Sequence, residues 1–233
     1  MALLLLAPQA SLGLRLAMHP PGSRHPADDS LRGPLMGADG TDDTDFADVD
    51  MRAQRWERRT FEDCVFTEAA LDDLVTVGCT FTSCNFARAD LPRSRHEHSA
   101  FVACNFEQAS LTDATFVGCK LTGSVFDNTR LRGVRIEGGD LSSASLGGAN
   151  LAGVDLSGVR MAETNLVETN LRGANLTGCD LRGARFGPTD LREADLRGAR
   201  LDGFDPRRVD LRGAHIDVAQ AVEFARVFGV AIG

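Results

Sequence analysis

The sequence predicts an all-β fold, a solenoid of parallel strands with four pentapeptides in each coil, closed by a short C-terminal α-helix. Three observations predict it. Stepping by five from Phe46, the chain reads Phe46, Met51, Trp56, Phe61, Phe66 and Leu71. It stays apolar on that lattice as far as Ile216, with only Thr76, His96 and Pro206 as exceptions. Phenylalanines on the lattice repeat best at a separation of twenty, and Cys64, Cys84 and Cys104 share that separation. After Ile216 the period changes, and Val218, Ala221, Val222, Ala225 and Phe228 recur at helical spacing. A fixed period of five over so long a stretch marks a repeat architecture, because neither a helix nor a simple strand has that period.

Residues 1–45 keep no period and are rich in Pro, Gly and Asp, so a disordered N-terminal extension is expected there. The apolar run Ala2–Ala7 has no Lys or Arg before it, so the basic start of a signal peptide is missing. It is also too short to cross a bilayer. No membrane association is expected.

Residues 46–216 form the repeat domain. Phe–Phe matches at a separation of twenty are 46–66, 61–81, 66–86, 81–101, 86–106 and 106–126, more than at any other multiple of five. Twenty residues per coil stack identical side chains at the parallel-strand spacing of roughly 4.8 Å. About 8.5 coils at that rise give a rod on the order of 40 Å long. Two residues before each apolar position lies a second lattice of small side chains, including Ala69, Ala89, Ala109, Ala149 and Ala174. All six cysteines, Cys64, Cys79, Cys84, Cys104, Cys119 and Cys179, fall on it. They are expected to be reduced packing residues, which points to a cytoplasmic location. None is spaced as a zinc ligand pair.

Residues 217–233 hold the helix. Asp217 fits an N-cap and Gly229 a stop. A helix of about three turns is marginal alone and must pack on something. It can cover the last coil, and it can offer Val218, Val222, Phe224 and Phe228 to a second copy as a homodimer interface.

Motifs for chemistry are missing from the sequence. His96 and His98 form a lone HxH pair, expected as a buried and a surface residue and not as a metal site. The acidic run from Asp39 to Asp50 lacks the closing Glu of a calcium loop. No nucleophile–base pattern and no phosphate-binding glycine loop occurs. A non-enzymatic protein without cofactors is expected. The net charge is -8, which argues against direct nucleic-acid binding and suits a surface that enters a basic groove.

The stretches Ala149-Asn150-Leu151, Ala174-Asn175-Leu176 and Ala194-Asp195-Leu196-Arg197-Gly198 resemble the A(D/N)LXX signature of the pentapeptide repeat family. The resemblance covers 46–216 and implies a right-handed quadrilateral parallel β-helix. The segment from His96 to Phe126, the exceptions Thr76 and His96, and the ending from Ile216 to Gly229 are similar to the mycobacterial fluoroquinolone-resistance branch of that family. That branch implies a DNA mimic that binds DNA gyrase, inhibits supercoiling and dimerises through its terminal helix. The related Qnr branch carries projecting loops, whereas the lattice here has no insertion.

Charge limits where mimicry could sit. B-DNA carries about one negative charge per 1.7 Å of axis, so the expected rod would need about 25 to match it. Residues 46–216 hold 25 acids but also 21 bases. The face around Phe46, Phe66, Phe86 and Phe106 is the most acidic, with Asp45, Asp48, Glu68, Glu107 and Asp127 against Arg88. The next face adds Asp72, Asp73, Asp90 and Asp113 against Arg52 and Arg93. Residues 160–216 are balanced, with nine acids and ten bases. The predicted gyrase-binding surface is therefore these nine acids of the N-terminal half. The alternative is a structural scaffold with an unrelated protein partner.

Overall fold

The computed structural model describes Thr41, Asp42 and residues 44–232. Each coil takes twenty residues and lays down four parallel ladders, one per pentapeptide. One ladder runs Asp45, Val65, Asn85, Asn105, Val125, Ser145, Asn165 and Arg185. Two ladders contain three-residue strands. β1 (Thr41–Asp42), β3 (Thr60–Glu62), β5 (Thr80–Thr82) and β7 (Ala100–Val102) form one sheet, in the order β1-β3-β5-β7. β2 (Arg55–Glu57), β4 (Val75–Val77), β6 (Arg95–Glu97), β8 (Thr115–Val117) and β9 (Arg135–Glu137) form the other, in that order. The fourth ladder continues from Asp50 through Ala70, Asp90 and Ser110 to Arg130. The predicted four-sided parallel solenoid is the observed fold.

The repeat begins earlier than Phe46. β1 already pairs with β3, Thr41 with Phe61 and Asp42 with Glu62, and Asp45 bridges Val65. A strand at the end of a solenoid needs only the exposed backbone edge of the next coil, and no lattice residue of its own. The rest of the extension expected over 1–45 lies outside the described residues, apart from Thr44.

The core is an axial column. Phe61, Phe81 and Phe101 stack at 4.7 and 4.6 Å, nearly parallel. Phe46, Phe66, Phe86, Phe106 and Phe126 form a second stack at 4.7 to 5.0 Å. Rings of the two stacks meet edge to face at 5.6 Å, as Phe61 does with Phe66 and Phe81 with Phe86. Both arrangements are favoured by the ring quadrupole. Further along, the same two registers are filled by Leu141, Met161 and Leu181 and by Leu146 and Leu166.

The small lattice has a second duty. The Cys104 thiol lies 3.4 Å from the Phe81 carbonyl and the Cys119 thiol 3.3 Å from that of His96. Ser124 and Thr164 hydroxyls donate to Phe101 and Leu141 in the same way, at 2.9 Å each. Small size admits Ala, Cys, Ser and Thr there, and the last three add a donor to that carbonyl. All six cysteines are buried, and none forms a disulfide. Burial pushes the Cys119 thiol up to about 11 and the Cys179 thiol to about 12, so neither is a ready thiolate nucleophile.

The exceptions Thr76 and His96 sit one above the other and answer each other. Thr76 Oγ1 is 2.8 Å from His96 Nδ1, and His96 Nε2 is 3.0 Å from Ser94 Oγ. The imidazole stacks on Phe116 at 4.7 Å and is 1% exposed. Burial holds its pKa down at about 3.

The C-terminal end closes as the sequence predicts. α1 (Val218–Val227) starts at Asp217, whose carboxylate accepts from the Gln220 N–H while the Gln220 side chain accepts from the Asp217 N–H. The Gln220 amide reaches the Leu196 and Ala199 carbonyls at 2.7 and 3.0 Å, fixing the helix to the last regular coil. Pro206 opens a short 3-10 turn, Pro206–Arg208, so the lattice breaks where the coil ends.

Candidate interaction surface

In each pentapeptide the lattice residue points inward, the residue before it makes the bridge, and the two after it turn the corner. The second corner residue takes a left-handed conformation. Asp48 does so at φ 58° and Gly153 at 69°. In the C-terminal half this corner is mostly Gly. In the N-terminal half Asp48, Asp63, Glu68, Asp73 and Asp113 occupy it, which projects their carboxylates outward.

Bridge-position acids serve the fold instead. Asp45 Oδ1 accepts from the Ala47 N–H at 2.9 Å and Asp155 from that of Ser157 at 2.9 Å. Such Asx contacts hold a turn. In the C-terminal coils the same aspartates are also gripped by an arginine two residues on. Asp180–Arg182, Asp190–Arg192, Asp195–Arg197, Asp205–Arg207 and Asp210–Arg212 are such pairs. Hydrogen bonding from the arginine holds the Asp180, Asp195, Asp205 and Asp210 carboxyls at about 2. Each such pair neutralises its own charge within one turn, and Asp50 with Arg52 does the same in the first coil.

The nine predicted acids separate under this geometry. Asp48, Glu107 and Asp113 are exposed corner residues with no ion pair among the described residues. Glu68 pairs with Arg88 at 2.7 Å. Asp73 and Asp72 both meet Arg93, at 2.7 and 3.6 Å, and the Asp73 carboxyl lies below its usual range because of that guanidinium. Asp90 lies 3.6 Å from Arg130. Asp127 is half-buried and accepts from the Ser145 hydroxyl at 2.6 Å. Asp45 is exposed but committed to its turn. Glu62 and Asp63, on the neighbouring corner, are exposed and form no ion pair among the described residues. The sequence reading missed them because it ranked faces and did not separate corner from bridge positions.

The four helix residues also divide. Phe224 is half-buried and tilts on Phe204 at 5.4 Å, and Phe204 meets Phe186 edge-on at 4.9 Å. Phe224 thus caps the column. Val222 is half-buried. Val218 is 82% exposed and Phe228 61%, joined by Val230 and Ile232 at 53% each. The last two follow the helix and carry no periodic signal, so sequence reasoning passed over them. No helix among the described residues is long and apolar enough to cross a membrane, and no group of His, Cys, Asp or Glu there could hold a metal ion.

Known proteins place this architecture. The chain is similar in structure to full-length QnrB1, a plasmid-mediated fluoroquinolone resistance protein, with a TM-score of 0.68 and 22% identity over 82% of this chain and 100% of that one. A trypsin-treated QnrB1 variant gives 0.60 and 25% identity over 84% of this chain and 100% of that one. HetL, a pentapeptide repeat protein involved in heterocyst differentiation regulation from the cyanobacterium Nostoc sp. strain PCC 7120, gives 0.58 and 21% over 75% of this chain and 85% of that one. No curated relative matches the chain by sequence. The family model for a pentapeptide repeat region matches residues 89–164, and that for pentapeptide repeats matches 149–187 and 189–219. With a five-residue lattice, four ladders per coil and these matches, the chain belongs to the pentapeptide repeat family.

Proposed function

We propose that this chain is a cytoplasmic binding protein that occupies the DNA-binding surface of DNA gyrase, inhibits supercoiling and modulates fluoroquinolone action. The observation that carries this reading is the contrast in charge pairing along the solenoid. Five bridge aspartates of the C-terminal coils are tied to arginines two residues away, against Asp50 alone in the N-terminal coils, while Asp48, Glu107 and Asp113 stand on N-terminal corners with no ion pair among the described residues, as Glu163, Glu168 and Asp202 do further along. Unpaired carboxylates at outward corners are free to meet a basic groove, and such charges raise association rates and specificity. The fold shared with QnrB1, itself a fluoroquinolone resistance protein, supports the same reading. Solenoids of this family are generally structural or binding proteins.

Purified protein is expected to inhibit gyrase supercoiling at micromolar concentration. Reversing Asp48, Glu107 and Asp113 to Lys is expected to weaken inhibition at least about tenfold while leaving the circular dichroism spectrum unchanged. Failure of the native chain to inhibit would favour the reading as a structural scaffold with an unrelated protein partner. Unchanged potency of the triple variant would move the contact to Glu62, Asp63 or the paired acids.

The same reading makes the protein a homodimer through Val218 and Phe228, with Val222 at the margin and Val230 and Ile232 extending the patch. Phe228→Asp is expected to give a monomer in light scattering with the unfolding midpoint nearly unchanged. Phe224→Asp would instead uncover the column and lower the midpoint. A persistent Phe228→Asp dimer would refute this interface.

A further inference from the structure

Inter-coil bonding is regular until it stops on two adjacent faces. Arg130 bridges Ser110, and Asn150 bridges Asn170, but Arg130 and Asn150 do not bridge each other. Arg135 pairs with Thr115 and Asp155 with Asn175, but Arg135 and Asp155 remain apart. The amides that bond one coil down elsewhere, as Asp113 does to Arg132 and Gly153 to Arg172, have no such bond at Leu131, Gly133, Ile136 and Gly138. Asn150 and Asp155 likewise lack the bond upward that Asn170 makes to Ala149 and Asn175 to Val154. The other two faces stay closed through the same level. Lys120, Asp140 and Arg160 bridge in series, as do Val125, Ser145 and Asn165. A cleft of about 420 Å³ opens on this side, lined by Val134, Arg135, Ile136, Glu137, Gly138, Asp155 and Ser157. Val134 and Val154 hold equivalent positions on either side of the seam, two branched apolar residues where the small lattice of this face otherwise sets at least one Ser or Ala in each successive pair from Leu74 to Ala214.

We infer that this seam is a built-in joint. It divides the repeat into a block of coils ending at Gly138 and a block beginning with the 149–158 coil side, hinged along the closed faces at 139–148. In a solenoid each coil is held by its neighbours alone, so the level with half its ladder bonds missing is where bending concentrates. The joint has a consequence for charge. Asp48, Glu107 and Asp113 all lie on the first block, and α1 lies on the second. The acidic block therefore pivots against the block that carries the helix, and can adjust its angle on a partner. That use rests on the gyrase reading above, whereas the joint itself does not.

Hydrogen exchange on the free full chain tests the seam without any partner. Amides of Gly133, Ile136, Gly138, Asn150 and Asp155 are expected to exchange at least about tenfold faster than the equivalents Asp113, Phe116, Gly118, Asn170 and Asn175, since unbonded backbone amides lose protection. Equal protection overturns the seam. Spin labels test the pivot, and because all native cysteines are buried they attach to introduced thiols. Asp113→Cys with Glu193→Cys spans the seam at its open corner, and Ala53→Cys with Asp113→Cys stays within the first block. The first pair is expected to give the broader distance distribution. Equal widths overturn the pivot. Loss of gyrase inhibition alone bears on neither result.

Discussion

Truncating Phe81 to alanine is expected to destabilise the solenoid by about 4 kcal/mol, within the 3–5 kcal/mol range for a buried Phe→Ala change. Phe81 is fully buried. It stacks on Phe61 and Phe101, meets Phe66 and Phe86 edge to face, and lies 6.2 Å from Trp56. Each aromatic pair adds roughly 0.5–1.5 kcal/mol beyond its area. The cavity cannot close, because the coils above and below are held at ladder spacing by backbone bonds, so surrounding atoms relax little. Phe81→Leu is expected to cost only about 1–2 kcal/mol, since leucine keeps most of the buried area. The same face of the column already accepts leucine at Leu121 and Leu141. Urea unfolding of the two variants checks this. A difference of under about 1 kcal/mol between them would mean that the stack is not a main source of cohesion.

The second large effect is acid lability centred on His96. Its folded-state pKa is about 3, against an ordinary value of 6.5, and burial is the cause. The fold accommodates only the neutral ring, wedged between Thr76, Ser94, Phe101 and Phe116. The unfolded chain binds a proton there below pH 6.5 and the folded chain does not. Stability from this residue is therefore complete above pH 6.5 and is lost as pH falls from 6.5 toward 3, by about 1.4 kcal/mol per unit. Between pH 7.5 and 4.5 the loss is expected to be about 3 kcal/mol. His96→Leu is expected to lower stability at neutral pH, because the Thr76 and Ser94 hydroxyls lose their partner, and to flatten the slope over that window. The Asp180, Asp195, Asp205 and Asp210 carboxyls, held at about 2, lose their contribution only at lower pH. Equal slopes in the two proteins would place the acid sensitivity elsewhere.

Much of this molecule was legible in its sequence. The column needs an apolar side chain at every fifth residue, and stacking at twenty-residue intervals copies that need directly into the chain. The period therefore predicted the coil length and the packing of all six cysteines, and the contact found between Thr76 and His96, whose numbers differ by one coil, obeys the same register. Asp217 and Gly229 announced the helix for a similarly local reason, since caps act within a turn of the chain. Charge was less legible. A face can be assigned from numbering, but Glu68 and Arg88, or Asp73 and Arg93, neutralise each other through rotamers chosen across coils. Grouping acids by face joined turn-holding Asp45 to projecting Asp48, although one position of the pentapeptide separates their tasks.

The sequence by itself determined the repeat, its four sides, its stacked interior and its terminal helix, because each of these is repeated or locally capped and so is written many times over. Only the tertiary structure decided which acids stand free, that Phe224 turns inward while Phe228 does not, and where the ladder opens between Arg130 and Asn150. Those outcomes depend on single contacts between coils, which a period records on average and cannot record one at a time.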